Sequence, residues 1–298
     1  MLERYLKNLS VNVEPFAVCM VDNHWRLTLP GPPVAMLHFI VQGEGSVLAP
    51  GLPRAHIGPN FLIVIPRGAV HSLEAGPDVN EELRIDCAPS GPPVHHIQAG
   101  DGSDLVLVVG CGTLKVHYGE AFGLFDHLRQ TLVVDLSGVP EVPILYQGIL
   151  AEQASGLPGG PVLQGAIMTQ LLVHMFRKLH EEQDTSLAWL NALDDPRLAA
   201  ALDAIMNDPG APHTVDSLAD IAHMSRSAFA KAFQEAFGDS PINLVKHVRM
   251  EQAAKLLSAG NLPVDRIAAK MGYSSRSHFS HVFKKYTGRA PAEYRHAE

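Results

Sequence analysis

What this chain lacks narrows its character before any motif is read. It has no uncharged apolar run of the roughly 18 to 20 residues that a membrane-spanning helix needs, and its opening Met1 to Ser10 is charged and Leu-containing rather than built like a signal peptide. A cytoplasmic protein with no membrane partner is expected. Cysteine is scarce: Cys19, Cys87 and Cys111 are the only three in 298 residues, too few and too scattered for a disulfide framework or a four-thiolate zinc site. They are expected to be thiols at rest. The length suits about two domains, each able to bury its own core.

An excess of positive charge is also missing, but only from the chain as a whole. The net charge is −8, yet from Pro196 onward 13 Lys and Arg face 10 Asp and Glu, giving +3, while the rest carries 10 against 21, giving −11. The C-terminal part is the basic one. It also holds His213, His223, His247, His278, His281 and His296, which can add positive charge beside a polyanion.

That basic part states one phrase twice. Ser225-Arg226-Ser227-Ala228-Phe229-Ala230-Lys231-Ala232-Phe233 is followed by Gly238 and Pro241, and Ser275-Arg276-Ser277-His278-Phe279-Ser280-His281-Val282-Phe283 by Gly288 and Pro291. The matched positions are offset by fifty, as Phe229 and Phe279 are. Two equivalent helices on one small domain suggest two insertions into a periodic partner, and duplex DNA is such a partner. Each copy reads as a short amphipathic helix, a turn and a second helix; Asp216 or Thr214 is expected to cap the first helix and Ser225 the next. At helical spacing Phe229, Phe233, Ala236 and Phe237 point inward, as do Phe279, Phe283 and Tyr286. Ser227, Lys231 and Gln234 face out with Ala230 at the flank; Ser277, His281 and Lys284 face out with Ser280 at the flank. Arg226 and Arg276 sit at helix N-terminal ends, where a reading helix meets base edges, and Arg is shaped to grip guanine through O6 and N7. Between the copies, Pro241 to Leu257 reads as one helix with Leu244, Val248 and Leu256 inward and Lys246, Arg249 and Lys255 available to phosphates. If rigid, it holds the reading helices about 34 Å apart, one DNA turn.

One amphipathic pair with inward Phe is common in all-α domains, but two matched copies are far more specific. Residues from about Pro196 to Arg295 resemble the DNA-binding domain of the AraC/XylS family of bacterial transcription regulators. Leu218-Ala219-Asp220-Ile221-Ala222, Met224-Ser225-Arg226-Ser227, Gly238-Asp239-Ser240-Pro241, Arg249-Met250 and Ile267-Ala268-Ala269-Lys270-Met271-Gly272-Tyr273 carry the likeness. It implies base contacts at Arg226, Ser227, Ala230, Lys231, Arg276, Ser277, Ser280 and His281, with Lys284 beside them on the DNA-facing surface, and promoter DNA and RNA polymerase as partners. Ala230 offers only a methyl group, and His281 stands where relatives often have Arg.

The N-terminal part has another texture. Val34 to Val41, Gly43 to Leu48, Asn60 to Ile65 and Leu105 to Val109 are short β-rich runs separated by Pro and Gly pairs. Strand signals reach about Val116, and after Tyr118 the pattern turns helical, with a break at Gly156 to Pro161. The run Val162 to Leu179 is apolar nearly all round, which predicts burial on several sides. Packing on the β domain and a homodimer contact both remain open for it. Asp194-Asp195-Pro196 marks the next helix start. The domains are therefore set at 1–135, 136–195 as a helical connector, and 196–298.

Gly58 to His71, a strand ending in Pro66-Arg67-Gly68-Ala69-Val70-His71, resembles the second motif of the cupin β-barrel, and His38 to Gly45 its preceding hairpin. Metal-binding cupins gather several His and a carboxylate, since a catalytic metal needs about three protein ligands and an open position. Here Met36 stands where a further His is expected and Asn60 replaces the usual Asp, leaving His38, His71 and Glu44. No metal or cofactor is assigned; His38 and His71 are read as hydrogen-bonded groups of a ligand pocket or core. His95-His96 is read as a solvated loop. The segment Val109 to Val133, with Glu152, Gly160 and Arg177, resembles an AraC-family branch carrying this cupin type and including a regulator that responds to reactive chlorine species. That resemblance implies oxidant sensing at Cys19 and Cys111, with Cys87 the odd one out; a buried, inert thiol is the competing reading for each.

The fold expected is thus an all-β cupin-like barrel followed by helices, then an all-α domain with two helix-turn-helix motifs. The function expected is sequence-specific DNA binding that controls transcription, tuned by an unidentified small effector or oxidant at the cupin domain, and not catalysis. The competing class is a metal-dependent cupin enzyme fused to a DNA-binding tail. A regulator that accepts alkyl groups on a zinc thiolate would need clustered cysteines, which are missing.

Overall fold

The computed structural model describes the chain except residues 1–8, 14–16, 87–94, 119–121, 127, 185, 193, 261 and 296–298. Cys87 and His296 lie outside the described residues. The chain divides into two compact units, one comprising Val11–Val116 and Gly123–Leu187, the other chiefly Ala188–Glu298.

In the first unit the strands are β1 (Leu9–Val13), β2 (Ala17–Asp22), β3 (Trp25–Leu29), β4 (Ala35–Gln42), β5 (Gly45–Ala49), β6 (Leu52–Ile57), β7 (Phe61–Ile65), β8 (His71–Glu74), β9 (Glu81–Arg84), β10 (His95–Ala99), β11 (Leu105–Tyr118), β12 (Phe122–Gly123) and β13 (Leu132–Asp135). One sheet runs β10-β2-β11-β4-β7-β13 and the other β6-β5-β8-β3-β9. Cys19, Val21, Met36, Ile40, Ile63, Ile65, Val109 and Cys111 of the first sheet meet Leu27, Leu29, Val47 and Leu73 of the second in one buried core. Strand alternation explains the layering: residues of β4 at even positions enter that core, and Phe39 goes the other way to stack on Tyr146 at 4.3 Å. Gly110 lies opposite Phe39 in the β11–β4 register, and a Cβ there would sit 2.2 Å from the Phe39 ring. Only glycine leaves room for it.

Two sequence expectations change here. The helical texture expected after Tyr118 gives way to β12 and β13, and β13 pairs antiparallel with β7; among the described residues the helices that follow are α1 (Val142–Ser155) and α2 (Gly160–Glu181). Leu132-Val133-Val134 is too short an apolar run to separate helix from strand by period, and its place at the sheet edge decides it. The expectation that α2 is buried on several sides fails at its start. Met168, Leu171, Leu172, Met175, Phe176 and Leu179 are buried, but Val162 is 76% and Leu163 50% exposed. His95 and His96, expected in a loop, stand on β10, which pairs parallel with β2.

The second unit is helical: α3 (Ala188–Ala192), α4 (Pro196–Asn207), α5 (Val215–Ile221), α6 (Arg226–Phe237), α7 (Pro241–Ser258), α8 (Val264–Lys270), α9 (Arg276–Thr287) and α10 (Pro291–Arg295). Local chemistry sets the boundaries. Asp195 caps α4, accepting from the Arg197 amide at 2.9 Å, with Pro196 in the first turn. Thr214, not Asp216, caps α5 in a reciprocal box with Ser217. Ser225 and Ser275 cap α6 and α9 through the amides of Ala228 and His278, and both helices end on left-handed glycines, Gly238 at φ 76° and Gly288 at φ 80°.

The repeat is real in three dimensions, but its spacing is not uniform. From Arg226 to Arg276 the offset is 50, whereas α5 and α8, each seven residues, start at Val215 and Val264, an offset of 49. The second turn carries one more residue. Both turns need a left-handed residue, supplied by His223 (φ 51°) in the first and Gly272 (φ 75°) in the second.

Candidate functional site

The outward surface of α6 and α9 follows from what holds their inner faces. Phe229, Phe233 and Phe237 are buried in sequence along α6, with ring centroids 5.4 and 4.5 Å apart. Phe279 and Phe283 do the same on α9 at 5.7 Å, packed with Met250, Leu257, Ile267 and Met271. Each such ring contributes on the order of 1.5–3 kcal/mol of burial, so the rotation of both helices is fixed. Tyr286, expected inward, departs from this: it is 41% exposed and its hydroxyl donates to Glu251 at 2.7 Å. A phenol one turn beyond the last inward Phe keeps its oxygen in water.

With that rotation set, Arg226, Ser227 and Lys231 are exposed with Ala230 half-buried beside them, and Arg276, Ser277, His281 and Lys284 are exposed with Ser280 half-buried. The two faces differ in their partners. Arg226 donates from Nη1 to Asp216 at 3.2 Å, and Lys231 lies 3.9 Å from Glu235. Arg276, Lys284 and His281 have no hydrogen bond or ion pair to any described residue. Sequence reasoning missed this, though the acidic content of α5 and α6 was the signal for it.

Arg249 was expected to be available to phosphates. Instead it donates to the carbonyls of Pro209 at 2.7 Å and Ala211 at 2.8 Å, with its guanidinium over the Tyr273 ring. It ties the segment preceding α5 to the second motif, because a fork of five donors can satisfy two carbonyls at once. Lys246 and Lys255 remain exposed on α7.

The cupin residues form a different kind of cluster. His38, His71, Cys19 and Cys111 are each 4% exposed or less. The β2–β11 register sets Cys19 opposite Val109 and Cys111 opposite Ala17, so both thiols stand on one face as diagonal neighbours. Cys111 is also directly across from His38 on β4. Burial first, and then a hydrogen bond with the Cys19 thiol, push the Cys111 thiol well above its ordinary range. It rests as a thiol.

The imidazoles approach with Nε2 to Nε2 at 2.7 Å. Burial holds His38 well below its usual value, with the neighbouring His71 adding to this, and burial lowers His71 to about 4. Both rings are therefore neutral at pH 7. The Ala69 carbonyl, 3.1 Å from His71 Nδ1, can only accept, so His71 carries its proton there and receives the bond from His38 Nε2. That leaves His38 Nδ1 buried without a partner among the described residues. Glu44 is exposed and does not join the pair, and no three His, Cys, Asp or Glu among the described residues are placed to hold a metal.

Comparison with known proteins agrees with this division. A helix-turn-helix domain model matches residues 218–297, and a cupin model matches residues 1–181. The chain is similar to the RCS-specific HTH-type transcriptional activator RclR of Escherichia coli (strain K12), 28% identical over 93% of this chain and 90% of that protein. A protein named as an AraC-like transcription regulator in Streptomyces lividans is 33% identical over 99% of this chain and 97% of its own. The solved DNA-binding domain of AdpA in complex with a target DNA shares 30% identity over 34% of this chain and 90% of that one, with a TM-score of 0.33. The duplicated, Ser-capped helices beside a cupin fold define a DNA-binding transcription regulator. The chain belongs to the AraC family of these regulators.

Proposed function

We propose that α6 and α9 are the two DNA-reading helices, and that the buried cluster of the cupin unit tunes their grip on a promoter where RNA polymerase acts. One observation supports the reading most: two helices with the same Ser cap and the same inward Phe pair present Arg, Ser and a third polar side chain outward at matching positions. Arg276 and Ser277 contact base edges, as do Arg226, Ser227, Lys231, Ser280 and His281, with a methyl contact from Ala230, while Lys284 serves a phosphate. Binding to a duplex selected from a random pool should weaken steeply with salt. Arg276→Ala should lose discrimination between selected and random duplex, and Lys284→Ala should weaken both alike. Equal effects from the two substitutions would contradict the assigned roles.

For the signal, the adjacency of Cys19 and Cys111 supports an oxidant, and the relative named as RCS-specific supports a reactive chlorine compound. Two thiols and one hypochlorous acid give one disulfide, one chloride, one water and one proton. Diagonal strand neighbours have Cα atoms roughly 7–8 Å apart, whereas a disulfide wants about 4.4–6.8 Å, so closure draws β2 and β11 together. Mass spectrometry after mild hypochlorite should find the Cys19–Cys111 link together with altered promoter occupancy; a Cys111→Ser chain that responds like the wild type removes the switch from this site. His38, directly across from Cys111, and its partner His71 belong to the same buried cluster. The exposed apolar side chains Ile144, Leu157, Val162 and Leu163 support a contact between two copies, and Val162→Glu should abolish any dimer seen by sedimentation.

A further inference from the structure

A cleft of about 560 Å³ opens in the helical unit, and its walls come from three separate stretches: His213 before α5, Asn243 and Lys246 on α7, and His278 and Lys285 on α9. Among the described residues no carboxylate lines it. The acids nearby are engaged at its edge, Asp239 with the Asn243 amide at 3.0 Å and with His247 at 3.9 Å, and Glu251 with the Tyr286 hydroxyl. His213 is held in the wall by its ring Nε2, which donates to the Asp208 carbonyl at 2.7 Å. Lys246 and Lys285 are exposed and have no hydrogen bond or ion pair to any described residue. Two unneutralised ammonium groups thus stand at one cleft, whose remaining wall includes the apolar side chains of Ile242, Val245, Met250 and Val282.

The position of this cleft follows from helix geometry. His278, Val282 and Lys285 form a stripe at i, i+4 and i+7 on α9, and all three line the cleft. The residues one position earlier, Ser277, His281 and Lys284, lie about 100° round the same helix. If those face the floor of a major groove roughly 12 Å wide, the cleft-lining stripe faces its wall, which is a sugar-phosphate strand. His213 and Lys246 extend the cleft toward the first motif and the connecting helix.

We propose that this cleft is a phosphate clamp: it holds the DNA strand that walls the groove entered by α9, with the ammonium groups of Lys246 and Lys285 each neutralising one phosphate. The proposal rests on α9 being a DNA-reading helix, and it adds a site outside the base-reading face. Lys255 stands on the opposite side of α7, nine residues and half a revolution from Lys246, and takes no part.

The test uses the full chain with a selected duplex and a random duplex of equal length, each titrated across a salt series. Lys246→Ala with Lys285→Ala should make the slope of log affinity against log salt shallower by about 2. Both duplexes should lose affinity by the same factor. The Arg pair at these positions should restore the slope, and Lys178→Ala, in the cupin unit, should leave it as in the wild type. If the Ala pair leaves the slope unchanged while Arg276→Ala still loses discrimination, the clamp is wrong and the reading of α9 stands. If the wild-type chain binds neither duplex, the reading of α9 fails and the clamp with it. A third result also overturns the clamp: inorganic phosphate alone broadens in its phosphorus resonance with the wild type but not with the Ala pair, and the DNA salt slope is unchanged, which would make the cleft a free-anion site.

Discussion

The two helix-turn-helix motifs share a frame and an outward Arg-Ser pair, and differ in the charges set around them. Their seven-residue first helices, Ser caps, buried Phe pairs and terminal glycines correspond one for one. Outside that frame the first motif is acidic and self-paired: Asp216 holds Arg226 and Glu235 approaches Lys231. The second carries Arg276, Lys284 and Lys285 without acidic partners among the described residues. Burial constrains the inside because each lost methylene is felt, whereas an exposed face is free to diverge. If α6 and α9 read DNA as proposed, the second motif is the electrostatic anchor and the first must release Arg226 from Asp216 before it reads.

If the frame is shared, damage to it should be the same in both motifs, and large. Phe233→Ala and Phe283→Ala each remove a fully buried ring and should each cost about 3–5 kcal/mol, seen as loss of cooperative urea unfolding of the helical unit. A twofold or greater difference between them would mean the two cores are not equivalent. Acid should separate the units rather than the motifs. Among the described residues no charged or imidazole side chain is buried between Pro196 and Arg295, whereas His71 is buried in the cupin unit with its pKa lowered to about 4. A His whose folded pKa lies below the unfolded 6.5 gives stability that is complete above 6.5 and lost as pH falls toward 4, because only the unfolded chain takes up the proton. The cupin unit should lose on the order of 3 kcal/mol across that window. Trp25 and Trp189 are the only tryptophans, one in each unit, so Trp189→Phe leaves a fluorescence signal for the cupin unit alone. Equal acid sensitivity of both units would refute the assignment.

Base reading comes next in size. Arg276→Ala should cost about 1–3 kcal/mol of discrimination at one base pair, and Arg226→Ala less, because the wild-type arginine must first leave Asp216. The turns should also respond with opposite signs. His223 holds a left-handed backbone with an exposed side chain, so His223→Gly should stabilise the helical unit by about 1 kcal/mol. Gly272→Ala should destabilise it, since a Cβ there meets the Gly210 carbonyl at 2.4 Å.

The parts of this molecule legible in the sequence were those written in local periodicity. Phe229, Phe233, Phe279 and Phe283 announce their buried face at helical spacing, and Ser225 and Ser275 announce where the helices start. Tyr286 follows the same spacing but lies past the end of the packed core, so period alone placed it wrongly. The engagement of Arg249 was not readable, because Pro209 and Ala211 are brought to it by the fold and not by sequence distance. The same holds for Cys19 beside Cys111 and Cys111 across from His38: residues 92 and 73 positions apart meet only through β2–β11 and β11–β4 registers. β13 was misread because three apolar residues carry no period.

The smallest expected effect is the one that bears most directly on the comparison of the two motifs. Asp216→Asn keeps the side-chain volume and removes the charge that holds Arg226, so the first motif should come to resemble the second. Exposed ion pairs are worth about 0.2–1 kcal/mol, and both partners here are more than half exposed. Affinity for a selected duplex should therefore rise by between about 1.4-fold and 5-fold in low salt, and the gain should shrink as salt screens the pair. Part of any gain would come simply from removing a negative charge near DNA. Asp220→Asn controls for that, since Asp220 is exposed on the same helix and is not paired with Arg226. A larger gain from Asp216→Asn, together with sharper discrimination at the base read by Arg226, would show that the arginine is held in reserve. Equal gains with unchanged discrimination would reduce the difference between the motifs to net charge alone.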